Sequence, residues 1–266
     1  MKSGMMTQPP RHEGYILLAS LWLVMLLALA ATAIVRAAHS GAAVAHNVSA
    51  NRAARYLADG AIETAIFDLL TTARADDAAM ASAPPFDNSL GTITLQLLPE
   101  AAKVDLNRAP TPLIEALLRE IGVASGDARR LVAQLEDWRD QDEKPTPQGA
   151  ERKAYQDAGK SGPANRPLVG WREIGELLDA PDNLTARLDG LVTVHGGPGI
   201  DPAFAPAAVA RAAARLNPKP EIDGRALGVY SIHATVITPG GGHVERHAVL
   251  RLMPGHTPPY QILALN

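Results

Sequence analysis

The sequence predicts an α+β protein: one long N-terminal helix, then a small antiparallel sheet, with a large helical section inserted between the strands. Three observations carry this. Residues 15–35 hold no charge over 21 positions, and no proline occurs between Tyr15 and Ala83, where Gly41 and Gly60 are the only glycines. Residues 90–97, 229–238 and 243–253 alternate apolar and polar side chains, the mark of half-buried strands. Between the first strand and the last two, residues 111–216 show helix starts, stops and helical spacing. A helix set against antiparallel strands is an α+β arrangement.

The N-terminal helix is justified by length and composition. An apolar run of 21 residues is enough to cross a hydrocarbon core of about 30 Å. The polar leader before it holds Lys2, Arg11, His12 and Glu13 and ends at Gly14. This places a cut before the apolar run, so that the helix stays on the mature chain. A secretory signal is the competing reading, cut after Ala28-Leu-Ala30 or Ala31-Thr-Ala33; an uncleaved anchor is a third. Apolar residues recur beyond Arg36 at Val44, Val48, Leu57, Ile62, Ile66, Leu69 and Leu70, which extends one helix to about residue 70, roughly 85 Å at 1.5 Å per residue. Its first half belongs in lipid and its second half is amphipathic. Lys2 and Arg11 precede the span and Arg36 alone follows closely, so the positive-inside rule leaves the leader cytoplasmic and carries the rest across.

The remaining elements follow in order. Pro84 and Pro85 end the long helix, residues 90–97 form a strand, and residues 103–106 a second candidate. Thr111 and Pro112 open a helix that Gly122 stops; Ser125 or Asp127 caps the next, which runs to about Trp138. Residues 139–170 show no periodicity, and helices resume near 171–178 and 183–191. Val104-Asp-Leu-Asn-Arg-Ala-Pro110 and Ile200-Asp-Pro-Ala-Phe-Ala-Pro206 share an apolar-Asp-x-x-x-Ala-Pro pattern before a helix, a possible internal echo. The Pro-Gly-Gly-Gly turn at 239–242 makes a β-hairpin, and residues 260–265 a last strand.

Composition narrows function. A net charge of −3 gives no sign of a nucleic-acid partner, and with no cysteine the head gains no disulfide in an oxidising compartment. No phosphate-binding glycine loop, nucleophile elbow or His-Glu-x-x-His occurs, so the chain is not expected to be an enzyme. His243, Glu245 and His247 share one strand face, where a polar solvent face is the simpler reading than a metal triad. Trp138 and Trp171 read as core anchors. Asp137, Asp140, Asp142, Glu143 and Glu151 crowd into 15 residues of irregular loop, and hard oxygen donors in a long loop suit Ca²⁺. A solvated acidic loop, or carboxylates capping helices and pairing with Arg139 and Arg152, fits the same composition.

These residues together resemble the K-type minor pseudopilins of the type II secretion system (general secretion pathway protein K). The resemblance rests on the Gly14 junction and apolar helix, on Val104-Asp-Leu-Asn-Arg-Ala-Pro110, and most specifically on Asp137-Trp-Arg-Asp-Gln-Asp-Glu-Lys-Pro-Thr-Pro-Gln-Gly-Ala-Glu151 with Tyr155, Asn165-Arg-Pro-Leu168 and Glu173-Ile-Gly-Glu-Leu177. Glu13, Tyr15 and Arg152 depart from the residues usual in the family. The resemblance implies a pseudopilin fold: leader 1–14, N-terminal helix 15–72 with its span at 15–35, sheet region 86–106 and 226–266, and an inserted helical domain at 107–218. It implies cleavage by the prepilin peptidase between Gly14 and Tyr15, and bound calcium, with Asp137, Asp140, Asp142 and Glu151 the expected ligands. Ala19 would be the fifth mature residue, where major pseudopilins resemble one another in carrying a glutamate that neutralises a neighbour's N-terminal amine. Ala19 then marks a subunit with no neighbour above it. The implied partners are the I-type and J-type minor pseudopilins, other pseudopilins and inner-membrane lipid, with the head in the periplasm and the chain starting a filament from its tip.

The alternative is a membrane-anchored periplasmic nucleic-acid binder built on a helix-hairpin-helix at 113–135. Gly122-Val-Ala124 lacks the second glycine of such hairpins, and residues 103–138 hold five basic and six acidic side chains, a poor phosphate-binding surface.

Overall fold

The structure is a computed structural model that describes residues 13–71, 86–88, 90–222 and 228–266. The leader up to His12 and the Pro84-Pro85 helix stop lie outside the described residues. Helix α1 runs unbroken over Glu13–Thr71, 59 residues, or about 88 Å at 1.5 Å per residue. Its segment Tyr15–Arg36 has a mean hydropathy of 2.5 and is the one described helix long and apolar enough to cross a membrane; none of it is buried within the chain.

The far half of α1 lies on a five-stranded antiparallel sheet of order β1 (Phe86–Asn88), β2 (Gly91–Pro99), β5 (Val229–Ile237), β6 (His243–Leu252) and β7 (Tyr260–Leu265). Ala50, Ala54, Ala58, Ala61 and Ala65 are buried along α1 at steps of three and four residues, joined by Ile62 and Ile66. From Ala54 on they pack on Ile93, Ile232, Ala234, Val236, Ala248 and Leu250, which share one sheet face. Small side chains let helix and sheet backbones approach closely. Val44 and Val48, expected to join this apolar face, are exposed instead, because the sheet begins only at Ala50. There the Pro-Gly-Gly-Gly turn presses on the helix: a Cβ on Gly242 would sit 2.4 Å from the Ala50 carbonyl oxygen. Further along, Arg246 Nε donates to Asp59 Oδ1 at 2.9 Å and Tyr260 Oη to Glu63 Oε2 at 3.3 Å. Strand β6 therefore tracks α1 away from the membrane-spanning segment.

The inserted module leaves after Pro99 and returns at Val229, at the end of the β2–β5 ladder farthest from the span; Pro99 pairs with Tyr230, so the ladder stays whole. A buried polar knot fixes the joint. Lys103 Nζ donates to Glu100 Oε1 at 2.6 Å and to Ser231 Oγ on β5 at 3.2 Å, and Thr193 Oγ1 donates to Glu100 Oε2. Burial opposes ionisation of Glu100, but the Lys103 charge and the hydrogen bonds outweigh it and hold the carboxyl below its usual range.

Within the module, β3 (Val104–Asp105) pairs in parallel with β4 (Val192–Thr193), so the strand expected at 103–106 belongs to a separate two-stranded sheet. Around it pack α2 (Thr111–Glu120), α3 (Ser125–Arg139), α4 (Arg152–Asp157), a 3-10 turn (Trp171–Glu176), α5 (Leu184–Leu188) and α6 (Ala207–Ala214). Their core holds Leu113, Leu117, Leu131, Leu135, Trp138 and Tyr155. The sequence echo has a structural counterpart. Asp105 Oδ1 accepts from Asn107 N and Asp201 Oδ1 from Ala203 N, and helices α2 and α6 begin directly after Pro110 and Pro206.

The alanine stripe generates a prediction. Ala58→Leu forces extra methyl groups between helix and sheet, so denaturant unfolding of the full chain in detergent should show a loss of about 1–3 kcal/mol, whereas Ala53→Leu on the exposed side should change little.

Candidate metal centre

Helix α3 positions the first two acids of the centre. Asp137 lies in its last turn and is fully buried; Asp140 follows as its C-cap. Glu151, 6% exposed, is the N-cap of α4. One oxygen from each of Asp137, Asp140 and Glu151 falls within 4.8 Å of the others, the one such group of metal-ligating side chains among the described residues. Two Ca–O bonds of 2.3–2.6 Å span that separation. Both Glu151 oxygens and Asp140 Oδ1 are buried with no hydrogen-bond partner.

The surrounding chain is shaped to hold these acids. Asp137 Oδ1 accepts from Thr146 N at 3.0 Å, which folds the loop back over α3. Gly149 is required where it stands: a Cβ there would lie 2.0 Å from Asp137 Oδ2. Asn107 clamps the far side, donating from Nδ2 to the Leu168 carbonyl and accepting from Leu168 N, both at 2.9 Å. Glu173 accepts from Val169 N and Gly170 N and pairs with Arg166. The quoted motifs thus knit one loop system together. Asn165, with φ +50°, donates to the Asp142 carbonyl at 3.3 Å and to Glu143 Oε1 at 3.2 Å, while its own Oδ1 is buried and unpartnered. Sequence reasoning placed Asn165 in a motif without seeing it as an oxygen donor.

Electrostatics single out the same group. Burial, then repulsion from Asp137, Asp140, Glu143 and Asp142, pushes Glu151 up to about 7. Burial and the charges of Asp142 and Asp137 raise Asp140 as well. The arginines that could neutralise the group are engaged elsewhere: Arg152 pairs with Glu143 at 2.8 Å, and Arg139 donates to the Leu135 and Leu106 carbonyls. Two buried carboxylates and a half-buried third facing one another, with no ion pair to an arginine, are costly unless protonated or bound to a cation. All the donors are hard oxygens, so Ca²⁺ fits them and a soft metal does not.

The structure does not bring every expected residue to this point. The Asp142 carboxylate turns aside to accept from Lys144 N at 2.8 Å and stands outside the converging trio. Gly14 and Tyr15 lie in the first turn of α1, and Ala19 is exposed on the membrane-spanning segment. His243 and Glu245 approach only to 3.9 Å, and His247 stacks on His233 with ring centroids 4.1 Å apart, so no triad forms there. Trp138 is a core residue beside Tyr155; Trp171 is half-buried under the Arg172 guanidinium.

A long α1 on an antiparallel sheet, with a helical module hung from the sheet, defines the pseudopilin fold, and the apolar segment Tyr15–Arg36 fits a single-pass membrane anchor. A chain in the crystal structure of the GspK–GspI–GspJ complex from the enterotoxigenic Escherichia coli type 2 secretion system shares this fold, with a TM-score of 0.57 and 16% identity over 87% of this chain and 97% of that one. Residues 91–197 match the family model of type II secretion system protein K. No curated protein sequence matches the chain.

The centre predicts an unusual pH response. Without metal, the folded chain keeps a proton on Glu151 up to about pH 7, whereas the unfolded chain releases it near 4.5. Stability therefore falls as pH rises from about 4.5 to 7, and the penalty is complete above 7. In chelator, Glu151→Gln should raise the melting temperature at pH 8, by on the order of a few degrees, and leave it unchanged at pH 4.

Proposed function

We propose that this chain sits at the tip of a periplasmic pseudopilus, assembles there with I-type and J-type minor pseudopilins, and starts growth of the filament that drives protein export. The observation that carries this reading is the placement of the inserted module at the end of the sheet farthest from the membrane span. A bulky module there would overlap any subunit stacked above, and an end position avoids the overlap. Ala19 agrees with it: a subunit with nothing above has no foreign N-terminal amine to neutralise inside the apolar bundle, where an unpaired carboxylate would be expensive. The chain of similar fold belongs to a complex with GspI and GspJ, which supports the I-type and J-type assignment.

In this reading the chain is a single-pass inner-membrane protein, cut by the prepilin peptidase between Gly14 and Tyr15, with its head in the periplasm. Other pseudopilins and membrane lipid take turns covering the span. Asp137, Asp140 and Glu151 would hold Ca²⁺, with Asp142 and Asn165 close by; the ion would supply the staple that a cysteine-free head lacks, and no catalysis is assigned to it. The nucleic-acid reading finds no support, because the turn at Gly122 is covered by Arg187, which donates to the Ile121 carbonyl.

Two measurements test this. N-terminal sequencing of the chain extracted from membranes should begin at Tyr15; a start near Ala31 or Ile34 would make it a secreted protein and overturn the proposal. Saturating Ca²⁺ should raise the melting temperature of the full chain, since binding at 100 times the dissociation constant adds about 2.7 kcal/mol of stability. Asp140→Asn or Glu151→Gln should abolish the gain, and an unchanged melting temperature in the parent would remove calcium from the account.

A further inference from the structure

Three histidines flank the joint between sheet and module. His233 on β5 and His247 on β6 stand directly opposite each other, on the sheet face away from α1 and in step with Ser231 and Val249. Their ring centroids are 4.1 Å apart. Ser231 accepts from Lys103 of the buried knot, so the ring pair borders the joint on its sheet side. His195 borders it on the module side. Its backbone N–H donates to Thr193 Oγ1 at 3.1 Å, and a Cβ on the next residue, Gly196, would sit 3.2 Å from the Glu100 carbonyl oxygen.

The group accommodates protons poorly. His233 is the more exposed ring of the pair and takes the first one. The next must go to His247, one ring away from that charge. His247 Nε2 is buried with no hydrogen-bond partner, and a buried N–H without an acceptor is costly. The carboxylates nearby are already engaged. Glu100 holds Lys103 and Thr193, Asp105 accepts from Asn107 N and Arg108 N, Asp189 lies 3.7 Å from Arg172, and Glu245 lies 3.9 Å from His243. Gln96, opposite His233 on β2, carries no charge, and Asn266 meets His247 through its backbone. Lys103 and Arg251 add positive charge. Burial lowers His195 and His233; burial, then His233 and Lys103, takes His247 down to about 4.

We propose that these histidines form an acid-sensitive latch: charging them opens the joint and loosens the module on the sheet, while the sheet stays on α1. The direction follows from proton linkage. The opened joint binds a proton on His247 near 6.5 and the closed joint only near 4, so closure weakens as pH falls through that range. Glu100 is held below its usual range and stays ionised at pH 5. Asp105, raised by burial, binds its proton more readily in the closed joint and opposes the effect. The α1–sheet contact has an apolar core without histidine and does not share the response. The latch needs only this fold, and stands whether or not the chain sits at a filament tip.

Amide hydrogen exchange on the full chain in detergent, read by mass spectrometry, tests this. Rates at pH 5 and pH 7 are corrected for the intrinsic pH dependence of exchange. Opening at residues 96–104 and 229–233 should rise about tenfold at pH 5, and opening across residues 54–66 should not. His247→Gln should remove most of the rise, and His233→Gln, which spares the half-buried ring, part of it. Glu151 acts on global stability in the opposite direction, so a melting temperature would mix the two effects where exchange at the joint does not. No rise in the parent, an equal rise in His247→Gln, or a rise spread evenly over the joint and residues 54–66 would each overturn the latch. If His247→Gln does not fold, ring titration of the parent by NMR decides: a His247 midpoint well below 6.5 supports the latch, and one at 6.5 overturns it.

Discussion

The structure depends on one asymmetry: a single helix is buried on one side only, and only over its far half. Ala50, Ala54, Ala58, Ala61 and Ala65, with Ile62 and Ile66, supply the strip on which the sheet lies close, and the opposite side of the helix, at Arg52, Tyr56, Gly60 and Phe67, is exposed. The near half and the far outer face are both exposed. Because the sheet grips the same helix that carries the apolar segment, the head's orientation relative to that segment is set by packing and not by a linker. Arg246 with Asp59 and Tyr260 with Glu63 pin the rotation of the helix about its axis.

The inserted module inherits that orientation through a short joint. Both chain crossings lie at one sheet end, and the Glu100–Lys103–Ser231–Thr193 knot ties β5 to β4 in a buried setting. Breaking one member would strand a buried charge, so the joint is stiff at a cost in desolvation. The module itself has a different problem. Its loop between α3 and α4 has little apolar content, and three of its acids converge where no arginine pairs with them. Burial and that mutual repulsion raise the Glu151 and Asp140 carboxyls.

Much of this was legible in the sequence, for particular reasons. The span, the hairpin and the last strand were visible because long apolar runs and strict alternation have few competing explanations. The helix–sheet contact was half legible: Ile62 and Ile66 marked it, but the alanines that fill it read equally well as mere helix formers, and Val44 and Val48 suggested a longer contact than exists. Strands β3 and β4 are two residues each, too short to show a period, and their pairing across the module depends on tertiary packing. Helix α4, six residues long, left no signal, whereas the helix expected at 171–178 is present as a 3-10 turn at Trp171–Glu176. For the metal centre, composition gave the loop but not the geometry. Asp142 stands among the acids in sequence and turns away in space, because its carboxylate caps Lys144 N, while the buried orphan oxygen of Asn165 could be found only once the fold was in hand.

The central claim is that the apolar rod remains part of a head that assembles with other pseudopilins. Native mass measurement of the material extracted from inner membranes in mild detergent tests it most directly. The account predicts a complex that contains this chain, shortened by its leader, together with I-type and J-type chains. A lone chain recovered in the aqueous fraction, at a mass lacking the rod, would contradict it.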